Sequence, residues 1–471
     1  MPIFIYNSLA RKKEEFVPQN PPKVNIYTCG VTVYDESHIG HARSLYIFDV
    51  IRRYLKYRNF KVNFVRNITD IDDKIINRAN ELKIHWQDLT KKYIDSYYQD
   101  LKLLGIQKAD FEPRATENIV DMVKYIEGLI AKGYAYATNT GVYFSVRKFK
   151  DYGKLSGQSI EQMLTGVRKE PDETKEDPLD FALWKISKPG EPSWDSLCGK
   201  GRPGWNLECS VMSQKFLKTD TLDIHAGGRD LIFPHHENEI AQAEALTGKP
   251  FAKYWIHHGL LTINGQKMAK SLGNFVTIKD FINKYKYADI LKLFFLSAHY
   301  SHPIDYNEEK IEETKQALER ILILLEKIDR QLSVISCQLS DKKISEIEDV
   351  KKKFIEAMDD DFNTPRALSV LFDMVNRCNI ELDSDDEYKN FKLRYAMDII
   401  KEIADIFGLA FLKEVSGEIS DTKITVAITL REQLKKEKKY SEADQIRKEL
   451  EEKGVILEDT KDGTTTWRRK L

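Results

Sequence analysis

The sequence predicts an α/β protein in which a Rossmann-like parallel sheet forms the catalytic domain and helices follow it. Residues 23–29 and 61–65 are strand-like segments with β-branched and aromatic residues, and residues 40–58 between them have a helical apolar period. This strand-helix-strand order is typical of a parallel sheet, whose ligand site lies outside the carboxyl ends of its strands. From residue 308 onward the period is helical and lysine and glutamate are abundant, which predicts a bundle.

Composition limits the class of protein. A chain of 471 residues is too long for one core, and 42% hydrophobic with 31% charged residues is ordinary for a globular protein. We expect a cytoplasmic protein with no membrane partner, because no apolar stretch reaches about 20 residues and no signal segment is evident. Five cysteines are too few for a disulfide framework, and a net charge of −1 limits any nucleic-acid contact to local patches.

The elements divide the chain into six predicted regions. Residues 1–111 form the first half of the catalytic domain, and residues 112–204 form an inserted connective domain with a helix at 117–132 and a hairpin around 139–141. Residues 205–260 form the second half, in which strands at 221–225 and 254–263 flank a helix at 234–246. A stem region at 261–307, a helical bundle at 308–416 and a small C-terminal domain at 417–471 complete the chain. The predicted helices of the last two regions cover residues 311–332, 343–358, 365–382, 391–407 and 424–453.

Two short basic segments indicate how the protein handles ATP. His38-Ile39-Gly40-His41 lies between the first strand and its helix, where free backbone N–H groups favour an anion. Lys267-Met268-Ala269-Lys270-Ser271 adds a cationic loop after a later strand. Histidines that only cap a helix, and lysines that only face solvent, are the alternatives for each segment alone. Together on an α/β scaffold the segments predict groups that stabilise negative charge during attack at the α-phosphorus of ATP.

A glycine-rich loop at residues 223–230 is a third candidate for nucleotide contact. It follows a predicted strand, and Asp230 at its end could hold a ribose hydroxyl or an ammonium group. A tight turn before a helix is the alternative.

Four residues from three distant segments could form a metal site. His235 and Glu239 lie one helical turn apart, and Cys29 and Cys209 would complete a set of permitted zinc ligands. His236 with Glu239 is a competing pair, and no CxxC motif supports either choice. Spacing alone cannot choose between them.

With these residues assembled, the chain resembles class I aminoacyl-tRNA synthetases, and among them the cysteinyl-tRNA synthetases of bacteria. The resemblance covers nearly the whole length and rests on motifs in a fixed order. They are residues 27–41, 66–74, 201–210, 233–239, 267–271, 359–365 and 463–470.

The resemblance implies one Zn²⁺ per chain, held by Cys29, Cys209, His235 and Glu239. It also implies that His38, Gly40 and His41 line the site of Mg·ATP and that Lys267, Lys270 and Ser271 contact ATP. Ala269 stands where the family's KMSKS loop has a serine. Gly30, Thr69 and Trp205 are expected to line the pocket for L-cysteine.

The chemistry of substrate choice agrees with a zinc site. Cysteine and serine differ only by sulfur for oxygen, and such small differences in a shaped pocket are typically worth about 1–3 kcal/mol. A metal that binds a thiolate would distinguish cysteine from serine by the ability of the side chain to coordinate, and not by its size. A zinc that only stabilises the fold is the alternative, because four protein ligands usually close a site.

The C-terminal region is expected to recognise tRNA(Cys). Lys435 lies in its predicted helix, Trp467 and Arg468 could stack on an unpaired base, and Asp444 and Asp459 are candidate base readers. A solvated lysine face is the alternative for the first of these. We expect a monomer. Two other functions are alternatives. One is a ligase that joins cysteine to a small amino sugar, which would not need the helical tail. The other is a non-catalytic RNA-binding paralogue.

Overall fold

The computed structural model describes residues 1–165, 174–269, 272–333, 345–411, 421–452, 454–459 and 465–469. The predicted ATP ligands Lys270 and Ser271 lie outside the described residues, as does the side chain of Arg468.

The strands are β1 (Phe4–Asn7), β2 (Lys12–Glu15), β3 (Lys23–Thr32), β4 (Lys61–Thr69), β5 (Ala135–Ala137), β6 (Gly141–Phe144), β7 (Phe181–Ile186), β8 (Gly201–Pro203), β9 (Leu222–Gly228), β10 (Ala252–His258), β11 (Leu261–Ile263), β12 (Gln266–Lys267), β13 (Ile304–Tyr306), β14 (Val455–Asp459) and β15 (Thr465–Arg469). The helices are α1 (Ile39–Tyr57), α2 (Asp73–Leu82), α3 (Trp86–Leu103), α4 (Ile119–Ala131), α5 (Ile160–Thr165), α6 (Trp205–Leu217), α7 (Glu237–Thr247), α8 (Ile278–Tyr285), α9 (Ala288–Leu296), α10 (Glu308–Ser333), α11 (Ser345–Asp359), α12 (Thr364–Leu382), α13 (Lys389–Phe407), α14 (Asp421–Lys436) and α15 (Tyr440–Glu452).

The central sheet confirms the predicted parallel α/β architecture. Its four strands have the order β10-β9-β3-β4 and all neighbouring pairs are parallel. Most residues of β4 and all residues of β9 are buried, including polar ones, as expected of a sheet that is covered on both faces. The register between β3 and β4 shifts between Thr28 and Val31, so that Cys29 and Gly30 lie in an irregular stretch at the carboxyl end of β3. Such irregularities redirect side chains.

The inserted segment forms an antiparallel sheet of order β5-β6-β7-β8, and the predicted hairpin around residues 139–141 is confirmed. Its core packs Phe144 and Trp184 together with Leu207 and Met212 of α6. The insertion is thereby fixed to the helix that carries Cys209.

Helices α10 to α13 pack as a bundle that shares one hydrophobic core with the central sheet. Three consecutive aspartates strengthen this junction. Asp359 accepts a hydrogen bond from Tyr54 of α1 at 2.6 Å, Asp360 pairs with Lys13 at 2.6 Å, and Asp361 accepts from the backbone N–H of Tyr6 at 2.8 Å. These contacts anchor the bundle to α1 and to the β1–β2 pair of the catalytic domain.

Two predicted elements are wrong in extent. The single helix at 424–453 is broken into α14 and α15, with Lys438 in the left-handed region at φ 60° between them. The predicted strand at 254–263 is also divided, into β10 and β11. Gly259 lies between them against the backbone of His302, where a Cβ on residue 259 would be 2.2 Å from the His302 carbonyl. Glycine is required there.

The prediction that everything after residue 308 is helical is also wrong. Strands β14 and β15 pair as an antiparallel hairpin after α15. Val455 and Leu457 are buried, with the half-buried Ile456 between them, and complete a small core with Ile424, Ile428 and Leu450. Among the described residues, no helix is long and apolar enough to cross a membrane.

Candidate metal and nucleotide site

The predicted metal ligands meet at the carboxyl ends of β3 and β9. Cys29 projects from the irregular end of β3, and Cys209 lies in the second turn of α6. His235 belongs to a π-helical turn, Ile232–His236, that leads directly into α7 and Glu239. The sheet thus brings together side chains that are far apart in sequence.

The four donor atoms lie within 4.8 Å of one another. The sulfurs of Cys29 and Cys209 are 3.8 Å apart, His235 Nε2 is 3.5 Å from Cys209 Sγ, and Glu239 Oε1 is 2.8 Å from His235 Nε2. Cys209, His235 and Glu239 are buried, and Cys29 is half-buried. Two sulfurs, one nitrogen and one oxygen in this arrangement can hold a small cation.

A second set shares two of these donors. Cys29 and Glu239 also group with His225 and His236. His236 Nε2 lies 3.2 Å from Cys29 Sγ, and its Nδ1 is 2.8 Å from His257. The ambiguity between His235 and His236 that the sequence leaves open is therefore present in the structure as well.

Outer contacts orient the first set. Asn206 Oδ1 lies 2.7 Å from His235 Nδ1, which leaves Nε2 directed at the sulfurs, and the indole of Trp205 stacks on the imidazole at 4.0 Å. His225 Nε2 holds the other oxygen of Glu239 at 2.5 Å. Such contacts fix the orientation and tautomer of metal ligands. Sequence reasoning assigned no role to Asn206, and nothing in its spacing could have indicated one.

Two of the four donors favour a metal-binding charge state and two favour a protonated one. Burial raises the pKa of Cys29 well above its ordinary value. Burial would lower the pKa of His235, but Glu239 and Cys209 raise it to about 10, so a metal must displace protons from both groups. Burial would raise the pKa of Glu239, but the neighbouring His225 and His235 hold that pKa well below its ordinary value. Burial also opposes ionisation of Cys209, yet the hydrogen bond from Cys29 and the charge on His235 lower the pKa of Cys209 to about 7. A carboxylate and a readily ionised thiol are the forms in which these groups bind metals.

A buried polar chain lies beside this cluster. The side-chain oxygen of Asn67 accepts from the N–H of Gly30 at 2.8 Å, and its amide donates to Thr69 at 3.1 Å. Thr69 in turn donates to Glu208 at 2.7 Å. A Cβ on Gly30 would lie 1.6 Å from the Asn67 carbonyl oxygen, so only glycine fits. Gly30 and Thr69, both predicted to line the substrate pocket, therefore belong to one network, while Trp205 flanks the cluster from α6 with 41% of its surface exposed.

The histidine pair lies at the start of α1. His38 is the N-cap residue: its Nδ1 accepts from the N–H groups of Gly40 at 3.1 Å and His41 at 3.3 Å. The two imidazoles stack at 3.8 Å. Burial, with smaller contributions from His38 and Lys74, lowers the pKa of His41 to about 3. His41 is thus neutral near pH 7 and can act as a hydrogen-bond donor, not as a cation.

The histidine pair and the start of the lysine loop line one cavity of about 260 Å³, together with Tyr34, Met268 and Phe275. A Cβ on Gly40 would approach Met268 to 3.8 Å and the His38 ring to 2.8 Å, so a side chain there would crowd the cavity. Lys267 ends β12 with its side chain exposed. Asp230 is exposed in a short 3₁₀ turn that follows β9.

The candidate tRNA contacts lie at three places in the C-terminal region. Asp459 forms ion pairs with the buried Arg431 at 2.9 Å and with Lys435 at 3.1 Å, so two predicted readers contact each other. Trp467 lies against Arg330 of α10, whose guanidinium carbon is 5.7 Å from the ring centre. Asp444 is exposed on α15.

The comparisons with known proteins agree over the whole chain. Residues 15–316 match the family described as "tRNA synthetases class I (C) catalytic domain", and residues 353–412 match the DALR domain. A cysteine–tRNA ligase from Sulfurihydrogenibium sp. is 49% identical over 490 residues, covering 100% of both chains. Another from Aquifex aeolicus is 47% identical over 496 residues, covering 100% of this chain and 99% of the relative.

A solved structure shows the same fold at greater distance. The Mycobacterium tuberculosis methionyl-tRNA synthetase in complex with methionyl-adenylate has a TM-score of 0.61 at 15% identity. The match covers 82% of this chain and 90% of that one.

Proposed function

Since the chain belongs to the cysteine–tRNA ligase family of class I aminoacyl-tRNA synthetases, we propose that Cys29, Cys209, His235 and Glu239 hold one Zn²⁺ that selects its substrate. The enzyme activates L-cysteine with ATP and transfers the cysteinyl group to tRNA(Cys). The observation that carries the zinc proposal is the meeting of these four donors within 4.8 Å at the carboxyl ends of the sheet. Two thiolates with an imidazole and a carboxylate are zinc ligands by chemistry.

The outer contacts favour this set over the one with His225 and His236. Asn206 holds His235 Nδ1, so that Nε2 points to Cys209 and Glu239. All three imidazoles are buried, but they differ in what they pack against. His235 stacks on Trp205, which is 41% exposed, whereas His225 and His236 pack against Trp255, which is 1% exposed. The first set therefore lies nearer to the surface from which a substrate thiol would arrive.

Bound at this place, zinc would lower the pKa of the substrate thiol and accept the thiolate, while the hydroxyl of serine stays protonated and binds poorly. The chain's own residues supply the rest of the pocket. Gly30 lets Asn67 approach β3, and the Asn67–Thr69–Glu208 chain presents oriented polar groups beside the thiol site. Trp205 covers the pocket and excludes water.

Adenylate formation takes place at the histidine pair. The carboxylate of cysteine, ionised at neutral pH, attacks the α-phosphorus of Mg·ATP without a general base. The bond between the α-phosphorus and the bridging oxygen to the β-phosphate breaks, so that pyrophosphate leaves and cysteinyl adenylate forms. We propose that His38, His41, Lys267 and Lys270 stabilise the charge that develops there, with Ser271 and Gly40 in contact with ATP and Asp230 on its ribose. The neutral His41 donates a hydrogen bond to the phosphate oxygens.

The cysteinyl group then passes to the 3′-terminal adenosine of tRNA(Cys), through the 2′-hydroxyl in this class. We propose that the C-terminal region reads the tRNA, with Trp467 and Arg468 as stacking and phosphate contacts and Asp444 facing solvent on α15. Lys435 and Asp459 would bind RNA through the edge that their ion pair forms with Arg431. The enzyme is expected to act as a cytoplasmic monomer.

One experiment tests the zinc assignment. Cys209→Ser should lower bound zinc by at least tenfold in elemental analysis and raise the cysteine KM in ATP–pyrophosphate exchange, with serine as the competing substrate. Cys198→Ser is the matched control, because Cys198 is a half-buried thiol of the insertion that contacts none of the four ligands. A Cys209→Ser enzyme that keeps full zinc and still rejects serine would contradict the proposal. A second variant, His236→Asn, distinguishes the two donor sets, since only the second set requires that imidazole.

A further inference from the structure

The start of α8 is joined to the histidine segment by paired backbone bonds. The N–H of Ile39 donates to the carbonyl of Val276 at 3.1 Å, and the N–H of Ile278 donates to the carbonyl of Ser37 at 3.0 Å. His38 and Thr277 face each other across this bridge. Because Thr277 is also the N-cap of α8, the helix begins where the histidine segment holds it.

Three polar side chains reinforce the bridge. Lys279, in the first turn of α8, donates to Glu36 at 2.9 Å and to Ser96 of α3 at 2.8 Å. Ser96 also donates to the same oxygen of Glu36 at 2.5 Å. The side chains of Lys279 and Glu36 are only 35% and 30% exposed. We call Glu36, Ser96 and Lys279 the polar clamp.

The clamp fixes one end of the lysine loop. That loop leaves β12 at Lys267 and returns to the fold at Thr277, which is two residues before Lys279. Its return path places Phe275 edge-on to His38 with ring centres 5.2 Å apart. Asn274 closes the loop on itself by accepting from the N–H of Ala269 at 2.9 Å. Lys279 therefore adds a side-chain contact to the backbone bridge that holds Phe275 and Val276 beside the histidine segment.

A second carboxyl group makes the clamp sensitive to the loss of its cation. Asp100 of α3 is 1% exposed, and its two oxygens have no hydrogen-bond partner among the described residues. The charges of both Lys279 and Glu36 act on its carboxyl group. Without the ammonium group of Lys279, Glu36 would lose its hydrogen-bonded cation and keep only the influence of Lys92, with the carboxyl group of Asp100 acting on it as well. Removing one partner of such a pair costs more than the pair contributes.

We propose that Glu36 and Lys279 are positioning residues for adenylate formation, which hold the end of the lysine loop against the histidine pair so that both segments address the same phosphate. This inference rests on the proposed function of the two segments. Glu36 lines the cavity of the histidine pair, whereas Lys279 does not, so Lys279 acts only through its contact with Glu36 and Ser96. Zinc binding and cysteine affinity should be independent of the clamp.

The test is ATP–pyrophosphate exchange with the full-length zinc-loaded enzyme. Lys279→Met and Glu36→Gln should each lower kcat/KM for ATP roughly 5- to 20-fold, as expected for loss of a charged hydrogen bond in a partly buried pair. The KM for cysteine and the zinc content should equal those of the wild type. The exchanged pair, Glu36→Lys with Lys279→Glu, should recover most of the lost activity, because Ser96 can still donate to the relocated carboxylate.

Lys351→Met is the matched control. Lys351 of α11 pairs with Glu402 at 2.8 Å, with both side chains 32% exposed, and it does not line the cavity of the histidine pair. The control should keep wild-type exchange kinetics. If the clamp variants behave like this control, if cysteine KM rises in step with ATP KM, or if the exchanged pair recovers nothing, the inference is wrong. A wild-type enzyme with no cysteine-dependent exchange would instead overturn the proposed function, so the two failures are distinguishable.

Discussion

Removing the carbonyl oxygen of Asn206 should weaken zinc binding without touching a ligand. That oxygen lies 2.7 Å from His235 Nδ1 and is the contact that directs the other ring nitrogen, Nε2, toward Cys209 and Glu239. Loss of an outer contact of this type typically costs 10- to 100-fold in metal affinity. In Asn206→Ala the Trp205 stack at 4.0 Å still holds the ring plane, so we expect the lower end, about tenfold or about 1.4 kcal/mol.

The assay is competition for zinc with a chelator of known affinity, followed by the cysteine KM in pyrophosphate exchange. Asn206→Asp should keep wild-type affinity, since a carboxylate accepts the same hydrogen bond at least as well. Asn63→Ala is the control, because Asn63 is an exposed asparagine on β4 whose amide donates to Asn25 at 3.0 Å, away from the metal cluster. Wild-type zinc affinity in Asn206→Ala, or a larger loss in Asn206→Asp than in Asn206→Ala, would refute the assigned orientation of His235.

Three further outcomes are expected. Lys270→Ala should slow cysteinyl adenylate formation by about 10²–10³ in single-turnover measurements, by analogy with loss of one oxyanion donor, and a wild-type rate would remove this lysine from the mechanism. A chain that ends after residue 416 should keep pyrophosphate exchange and lose transfer to tRNA, whereas equal loss of both would contradict the division of labour. Asp100→Asn should change how stability depends on pH. Burial raises the pKa of Asp100 to about 7, with Lys279 opposing and Glu36 assisting, while the unfolded value is about 3.9. The folded state then retains a proton that the unfolded state has released, so wild-type stability falls as pH rises from about 4 through about 7. The variant should lack that fall and gain about 1–2 kcal/mol at pH 8 after allowance for solvent screening, as measured by denaturant unfolding from pH 5 to 8.

The fold was predictable wherever a local pattern determines an element. Alternation in β3 and β4 and the apolar period of α1 depend only on neighbouring residues, and these elements are confirmed within a few positions. The C-terminal hairpin was not predicted, because a surrounding abundance of lysine and glutamate favoured a helical interpretation over the short alternation at Val455 and Leu457. Helix propensity summed over a long window outweighs the strand pattern of five residues.

The site was predictable in its residue types and not in its geometry. His235 and His236 are consecutive, and the π-helical turn that contains them directs both rings at Cys29 and Cys209, so helical spacing could not separate them. The irregular end of β3 depends on a close approach by Asn67 of the neighbouring strand. Asn206, Glu36 and Lys279 carry no sequence signal, because their roles arise only when the sheet, α3 and α8 pack together.

The strand β3 connects substrate choice to substrate activation. Its irregular end carries Cys29 and Gly30, and the chain continues from there to His38 without an intervening element of secondary structure. On the proposed zinc site, an amino acid held by its side chain near Cys29 would present its carboxylate toward the cavity that His38 and His41 line. The hydroxyl of a serine would not be fixed by the metal, so its carboxylate would sample orientations away from the α-phosphorus. Because precise placement of reacting groups is a large part of the catalytic effect, the proposal predicts that serine loses both affinity and rate of adenylate formation.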